Sequence, residues 1–337
     1  MQALPLCLEK TTGPGTFVDW QGSHLAHVAA HNQPRTLKTY IGRVMTNALN
    51  ATAAKRSRNV AVLTGSAAAG MAGMALWNTH QARNLKREHP PRGRFVAVEG
   101  AQLHYLEKGG GRPVVFLHGN VVTAEDFDLS GLLDLASQRQ CHVVAFDRPG
   151  FGYSDRPRGA MWSPARQADL FRQAFARLGI ERPVVVGHSL GTLVALALAL
   201  DHPDAVSGLV LLSGYYRPEL RADVPLFSLP VIPVIGDLIR YTVGPLFGAA
   251  LLPLAAKGMF SPLPVPERFA KGLRHGMPIR PSQIRAEAQD TATMGPAVAA
   301  MQRRYLELRM PVVIMAGTMD RIVDHRKHAV RLHQEIP

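Results

Sequence analysis

The chain has 337 residues, of which 47% are apolar, so it can bury the core of one large α/β domain or of two small ones. Its formal net charge of +13 is uneven: residues 1–94 carry 12 Lys and Arg against 3 Asp and Glu, whereas residues 95–337 carry 26 against 22. A nucleic-acid-binding domain needs its basic residues on the folded part, so we expect no nucleic-acid partner. Two cysteines, Cys7 and Cys141, make no disulfide framework.

Residues 1–44 show no sustained periodicity, and we expect a disordered or non-native extension, with the natural chain starting at or near Met45. A basic flank then precedes an uncharged run of 18 residues from Val60 to Trp77. This pattern is typical of a signal peptide or an uncleaved membrane anchor. We therefore assign residues 45–94 as anchor or signal segment and linker, and expect residues 60–77 to hold the protein to a membrane.

Two features of the run leave alternatives open. Its 18 residues are near the lower limit for a spanning helix, and basic residues on both sides leave the orientation undetermined. Export after cleavage and a soluble amphipathic leader are the alternatives to an anchor.

From Phe95 onward, apolar strands alternate with helical stretches, which predicts a doubly wound, mostly parallel sheet. The core occupies residues 95–214 and 310–337 in this interpretation. The predicted strands are 95–99, 102–107, 113–117, 142–146, 183–186, 209–212 and 311–315, and the predicted helices are 125–139, 163–178 and 190–201.

The alternation stops in residues 215–309, which are Pro-rich and strongly apolar. Because this stretch is inserted between two core strands, we expect it to fold over the carboxyl edge of the sheet as a helical cap. Ligands bind at that edge, so an apolar cap predicts an apolar substrate chamber.

The segment Val184–Gly191 reads as a buried strand followed by Gly-x-Ser-x-Gly, with an Ala- and Leu-rich helix after it. In this context the motif predicts a sharp strand-to-helix turn that lifts the Ser189 hydroxyl above the sheet edge. The turn also points the Leu190 N–H and the positive end of the helix toward a developing oxyanion.

Three further segments follow predicted strands: His118-Gly-Asn120, Asp147-Arg-Pro-Gly150 and Gly317-Thr-Met-Asp320. With the Ser189 turn, this set resembles the α/β-hydrolase family, of the cap-bearing esterase, lipase and peroxidase-like type, over residues 95–337. The resemblance implies an α/β-hydrolase fold without a metal or other cofactor.

The resemblance also implies site roles. Ser189 is the expected nucleophile and Asp320 the acid that orients a catalytic histidine. The backbone N–H groups of Asn120 and Leu190 are the expected oxyanion hole. The two histidines that flank these motif positions, His118 and His188, are expected to shape the site, and the Asp147 turn to support it.

A serine at the turn, where dehalogenases and epoxide hydrolases of this fold place aspartate, favours cleavage of an ester, thioester, lactone or carbon–carbon bond through an acyl-enzyme. The expected substrate is a small apolar acyl compound. A non-catalytic protein that binds a lipophilic ligand or a partner in the cap cleft is the alternative.

The catalytic histidine is the missing member of the triad. In relatives it lies some 25–30 residues after the acid, whereas 17 residues follow Asp320. We therefore expect a C-terminally truncated fragment that lacks its last strand and helix and is inactive and poorly soluble. A helix at about 324–334 carries His325, His328 and His333, which we expect on a solvated face; the rival is that His325 or His328 turns inward as the base.

Overall fold

The computed structural model describes residues 34–219, 221–272 and 276–336. The chain divides into two compact units, Met1–Ser66 and Ala67–Pro337. Helix α1 (Pro34–Glu88) belongs partly to each of them. Every described side chain from residue 38 to residue 66 is exposed.

Helix α1 begins upstream of the predicted anchor segment. Residues 34–44 are helical, where we expected no regular structure, because no proline or capping sequence interrupts the chain between Pro34 and Glu88. Residues 1–33, which complete the predicted extension, lie outside the described residues. Over the described ranges, residues 38–88 and Val243–Phe260 are each apolar and long enough to cross a membrane.

Seven strands form one sheet in the order β1-β2-β4-β3-β5-β6-β7. The first two strands pair antiparallel, β2 also pairs antiparallel with β4, and the remaining pairs are parallel. All seven strands were predicted, with ends displaced by one or two residues. Their bounds are β1 Arg94–Val98, β2 Ala101–Lys108, β3 Arg112–Leu117, β4 Cys141–Phe146, β5 Val184–His188, β6 Gly208–Leu212 and β7 Val312–Met315.

The strand register aligns the carboxyl ends of the parallel strands. Leu117 at the end of β3 pairs with Gly187 of β5, His188 pairs with Leu212, and Leu212 pairs with Met315. The loops after β3, β5, β6 and β7 therefore leave the sheet at one edge, where open α/β sheets bind ligands.

Four helices cover the two faces of the sheet: α2 (Glu125–Leu129), α3 (Leu132–Gln138), α4 (Pro164–Leu178) and α5 (Gly191–Asp201). The single helix predicted at 125–139 is in fact two helices. Gly131 interrupts it because it adopts φ 82°, a left-handed conformation that does not continue a helix. Ser163 caps α4, as its hydroxyl accepts a hydrogen bond from the Arg166 N–H (3.3 Å).

The insertion between β6 and β7 is helical. It contains α6 (Val224–Ser228), α7 (Ile235–Tyr241), α8 (Val243–Phe260), α9 (Glu267–Gly272) and α10 (Pro281–Met301). After β7, a turn of π-helix (Arg326–Val330) leads into α11 (Arg331–Glu335), in the region predicted as one helix.

Candidate active site

Ser189 lies in the sharp turn between β5 and α5. Its φ is +51°, in the left-handed region that an L-residue enters at a cost. Two bonds fix the turn: the Ser189 N–H donates to the Leu212 carbonyl (2.8 Å), and the Thr192 hydroxyl donates to the Ser189 carbonyl (2.6 Å). The Ser189 side chain keeps partial access to solvent while Leu190, which precedes α5, is buried.

The two glycines of the motif are required by close backbone approach. A Cβ at Gly187 would lie 2.7 Å from the Gly191 carbonyl oxygen and from the Thr192 Cα. A Cβ at Gly191 would collide with the Leu117 carbonyl at the end of β3. The turn therefore packs directly against the neighbouring strand, as the motif predicted.

The loop after β3 lies against the serine. A Cβ at Gly119 would be 3.0 Å from the Ser189 Cβ, so the backbone that leads to Asn120 passes beside the nucleophile position. The Asn120 amide donates to the Thr291 hydroxyl of the cap helix α10 (3.3 Å). The loop that carries Asn120 therefore lies beside the turn that carries Leu190, and the role of these two residues as oxyanion hole stays a prediction.

His118 is a shaping residue in this structure. Its Nδ1–H donates to the Gly119 carbonyl (2.7 Å), and its Nε2 accepts from the Arg148 N–H (2.9 Å). Complete burial, with the Arg148 charge beside it, lowers the pKa of His118 to about 3. The ring is therefore neutral at physiological pH and has no free nitrogen to act as a base.

The buried guanidinium of Arg148 holds the same loop from behind. It donates to the carbonyls of His118 (2.7 Å) and Gly119 (3.1 Å) and to the Asn120 side-chain oxygen (3.0 Å). It also pairs with Asp290 of α10. A cap residue therefore neutralises the arginine that supports the predicted oxyanion loop.

Asp290 is the centre of a wholly buried network. Its second oxygen accepts from Arg156 (2.9 Å) and from the Gln167 amide (3.1 Å). The Arg148, Arg156 and Asp290 side chains are all at most 3% exposed. Breaking such a pair leaves an uncompensated buried charge, so these contacts fix α10 on the core.

Asp147 is buried directly after β4, where hydrogen bonds hold its carboxylate, and its role as a support of the site stays a prediction. Its two oxygens accept from the backbone N–H groups of Ala124 and Tyr153 (both 2.9 Å) and from His104 Nδ1 (2.7 Å). Burial, the largest single influence, raises the pKa of Asp147, but the hydrogen bond and charge of His104, the charge of His118 and the Ala124 N–H together outweigh it, so the pKa is lowered. The carboxylate is a fixed acceptor that ties together three segments of the chain.

Asp320 follows β7 and lies at the predicted edge of the sheet. Its Oδ1 accepts hydrogen bonds from the backbone N–H groups of Ile322 (2.9 Å) and Val323 (3.0 Å). It shares a surface hollow of about 450 Å³ with His325. Its negative charge also acts on the neighbouring imidazole of His188.

His188, directly before the serine, is partly buried, and its Nδ1 atom is buried without a hydrogen-bond partner in the described part of the chain. Burial lowers its pKa, an effect that the carboxyls of Asp126 and Asp320 oppose. Burial in turn raises the pKa of Asp126, which His188 opposes.

His328 corrects one prediction. We expected it on a solvated helix face, but it is 1% exposed. Its Nδ1 accepts from the backbone N–H groups of Tyr216 (3.1 Å) and Arg217 (3.3 Å), and its ring packs edge-on against Tyr215. Burial lowers its pKa, with Glu219 opposing. His328 therefore braces the loop after β6 and is not free to serve as a base.

Three polar residues near the site were missed in the sequence: Asp126, Glu287 and Thr291. The cap was interpreted as apolar, yet α10 turns a polar stripe toward the oxyanion loop. Burial raises the pKa of Glu287 to about 8, although a hydrogen bond from Gln283 (3.2 Å) opposes the shift. An i, i+4 spacing of Gln283, Glu287 and Thr291 was the available signal.

A cavity of about 30 Å³ opens next to the loop residue Val121. Its lining combines apolar side chains with carboxyl groups: Val122, Leu129, Phe269 and Met277 on one hand, and Glu125, Asp126 and Asp147 on the other. Across the described ranges, no group of three or more His, Cys, Asp or Glu side chains is arranged to hold a metal ion.

Sequence comparison identifies relatives for most of this chain. It is 34% identical to the 2-hydroxymuconate semialdehyde hydrolase of Pseudomonas putida over 131 residues, which are 39% of this chain and 46% of that enzyme. It is 29% identical to an uncharacterized protein of Mycobacterium tuberculosis over 282 residues, which cover 77% of each chain.

Solved structures share the fold. An epoxide hydrolase, CorEH, aligns with a TM-score of 0.58 and 23% identity over 73% of this chain and 88% of its own. The meta-cleavage product hydrolase CumD of Pseudomonas fluorescens IP01 aligns with a TM-score of 0.51 and 21% identity, over 73% and 86%. The family model for the alpha/beta hydrolase fold matches residues 112–337. With its mostly parallel sheet, serine turn and cap, the chain belongs to the α/β-hydrolase family.

Proposed function

We propose that this protein is a membrane-tethered serine hydrolase that cleaves an apolar ester, thioester or related acyl substrate through an acyl-enzyme. The observation that carries the proposal is the Ser189 turn. A serine held at φ +51° against the Gly119 loop, directly before α5, supports the proposed role of Ser189 as nucleophile.

In the proposed mechanism, Ser189 Oγ attacks the substrate carbonyl and gives its proton to a general base. The N–H groups of Asn120 and Leu190 stabilise the oxyanion. The base passes the proton to the departing alcohol or thiol as the acyl-enzyme forms. Water then gives a proton to the base and attacks the acyl-enzyme, and the acid leaves as Ser189 regains its proton. Arg148, fixed by Asp290, keeps the Gly119 carbonyl turned away so that the next N–H faces the substrate. Asp320 orients the base.

The general base is not identified among residues 34–219, 221–272 and 276–336, because no histidine there forms a hydrogen bond with the Ser189 hydroxyl. His325 is the candidate among them, because it shares the hollow of Asp320. That no histidine of the described residues bonds to the Ser189 hydroxyl favours the second candidate function, a non-catalytic protein that binds a lipophilic ligand under the cap.

The substrate class and the tether rest on composition and exposure. The apolar composition of the cap supports an uncharged acyl group as the substrate. The apolar part of α1 is exposed and long enough to cross a bilayer, which supports a membrane anchor through residues 60–77. Export after cleavage of that segment is the alternative localisation.

A fluorophosphonate probe tests the proposal in membranes of cells that express the protein from its own gene. We expect Ser189→Ala to abolish labelling, since loss of the nucleophile costs on the order of 10⁶ in kcat in a serine protease. Ser213→Ala is the matched control, because Ser213 also follows a strand with positive φ (45°). Labelling lost in His325→Ala but not in His328→Ala identifies His325 as the base.

An unlabelled wild-type protein, or equal labelling of the Ser189 and Ser213 variants, contradicts the hydrolase proposal. Binding of a fluorescent fatty-acid ester without turnover then supports the ligand-binding candidate.

A further inference from the structure

The outer side of the cap exposes an unusual number of large apolar side chains. We call this surface the outer cap face and define it by six residues on α6, α7, α8 and the loop between α6 and α7. They are Phe227 (53% exposed), Val234 (78%), Leu238 (47%), Leu246 (56%), Phe247 (66%) and Leu254 (64%). Contiguous exposed apolar surface on a soluble protein marks an interaction site.

Charge is nearly absent from this part of the cap. Residues 224–263 contain three charged side chains, Asp237, Arg240 and Lys257, although 19% of the chain is charged. Asp237 and Arg240 pair with each other. A surface with so few charges is poorly solvated by water and fits an apolar environment.

Helix α8 lies on the cap and does not leave it. Its 18 residues are long and apolar enough to cross a membrane. However, Leu252 and Ala256 on one side of it are buried, and a Cβ at Gly248 would lie 2.7 Å from Ile279 Cγ2. Crossing a bilayer would break these contacts. The exposed side of α8 can instead enter a bilayer surface to a depth of about 5–10 Å.

The outer cap face is joined to α1 where α7 meets α8. The Asn78 side-chain amide donates to the carbonyls of Tyr241 (2.9 Å) and Thr242 (2.8 Å), and Asn78 is buried there. Tyr241 is the last residue of α7, and Thr242 links it to the first residue of α8. The end of the apolar run of α1 and the start of α8 therefore lie side by side.

The order of residues along α1 indicates a membrane interface close to Asn78. Trp77, one residue before Asn78, is 62% exposed, and tryptophan prefers the headgroup layer. Arg83 and Arg87 are exposed and follow by about 9 and 15 Å along the helix axis, a distance that suits phosphate contacts.

We propose that the outer cap face is a second membrane-contact surface, which lies in the interfacial layer of a phospholipid bilayer next to Trp77. This inference goes beyond the proposed tether and does not depend on the chemistry of Ser189. A second copy of the chain would cover the apolar side chains but would not account for the Trp77, Arg83 and Arg87 order.

The test measures the depth of the outer cap face in vesicles of phosphatidylcholine and phosphatidylglycerol. In the full chain, with Cys7 and Cys141 replaced by Ser, a single cysteine from Phe247→Cys carries an environment-sensitive nitrobenzoxadiazole probe. Leu306→Cys is the matched control: it is 77% exposed and lies near the far end of α5, where Arg304 pairs with Asp201. Leu254→Cys is a second outer-cap position in case Phe247→Cys fails to fold.

We expect vesicles to shift the probe emission at Phe247→Cys to the blue, and brominated acyl chains to quench it about threefold more than at Leu306→Cys. Equal quenching at both positions overturns the proposal. A blue shift that grows with protein concentration without vesicles also overturns it, in favour of a second copy. Fluorophosphonate labelling of the same samples reports on Ser189 independently.

Discussion

Helices α5 and α8 have similarly apolar sequences and opposite surroundings. Ten of the eleven residues of α5 are buried, because the sheet, α4 and α10 enclose it. Only Pro245, Leu252 and Ala256 are buried among the 18 residues of α8, which has neighbours on one side. Apolar composition therefore indicates how much of a helix can be buried, whereas the elements packed around the helix determine how much of it is buried.

The largest effect is expected where the cap is fixed to the core. Asp290→Asn leaves two buried arginines without their carboxylate, so we expect the free energy of unfolding to fall by about 3–5 kcal/mol. Ester turnover should fall as well, because Arg148 loses its anchor. Asp134→Asn is the control, since its side chain is 49% exposed and its partner Lys108 keeps a second carboxylate, Asp128. A similar loss in both variants would show that the buried network does not hold the cap.

The comparison of the two helices is tested by replacing one leucine in each helix with alanine. Leu193 of α5 is wholly buried and Leu254 of α8 is 64% exposed. We expect Leu193→Ala to lower the free energy of unfolding by about 2–5 kcal/mol, and Leu254→Ala to change it by about 0.5 kcal/mol or less in the absence of lipid. Urea unfolding measures both. An equal cost at both positions would mean that α8 is covered in solution.

The smallest effect concerns the polar stripe of α10. Because the folded pKa of Glu287 is raised to about 8, the folded state favours the protonated acid. Both states are protonated below about pH 4, and between there and pH 8 ionisation of the unfolded chain lowers stability. We expect Glu287→Gln to raise the free energy of unfolding at pH 8 by roughly 1–2 kcal/mol, and by less at pH 5.

Glu267→Gln is the control for this pH dependence, because Glu267 is exposed and pairs with Lys271 on the surface of α9. Urea unfolding at pH 5 and pH 8 compares the two variants. A gain that is the same at both pH values would contradict a raised pKa at Glu287.

The parts of the fold that depend on local sequence were predictable. Five continuous apolar runs and one hairpin with alternating residues predicted the seven strands, and the turn at Ser189 follows from two glycines whose neighbours are set by the strand pairing. The site residues Asn120, Leu190 and Asp320 were placed at the carboxyl edge for the same reason, since parallel strands end together.

Contacts between distant segments were not predictable. Arg148 and Asp290 are 142 positions apart, and nothing in either segment indicates its partner. His328 was expected on a solvated helix face, yet it is buried, and its Nδ1 accepts hydrogen bonds from two backbone N–H groups of the loop after β6. The start of α1 at Pro34 was missed because a helix without an apolar face leaves no periodic signal.

Because of the backbone conformation at position 189, selection for stability and selection for activity favour different residues there. Glycine adopts φ +51° without penalty, whereas serine pays on the order of 1 kcal/mol there. A library screened for melting temperature alone would therefore enrich glycine at position 189 and discard the hydroxyl. Thermostabilisation of this protein consequently requires an activity readout in every round, because a gain in stability is available at the residue on which the proposed chemistry depends.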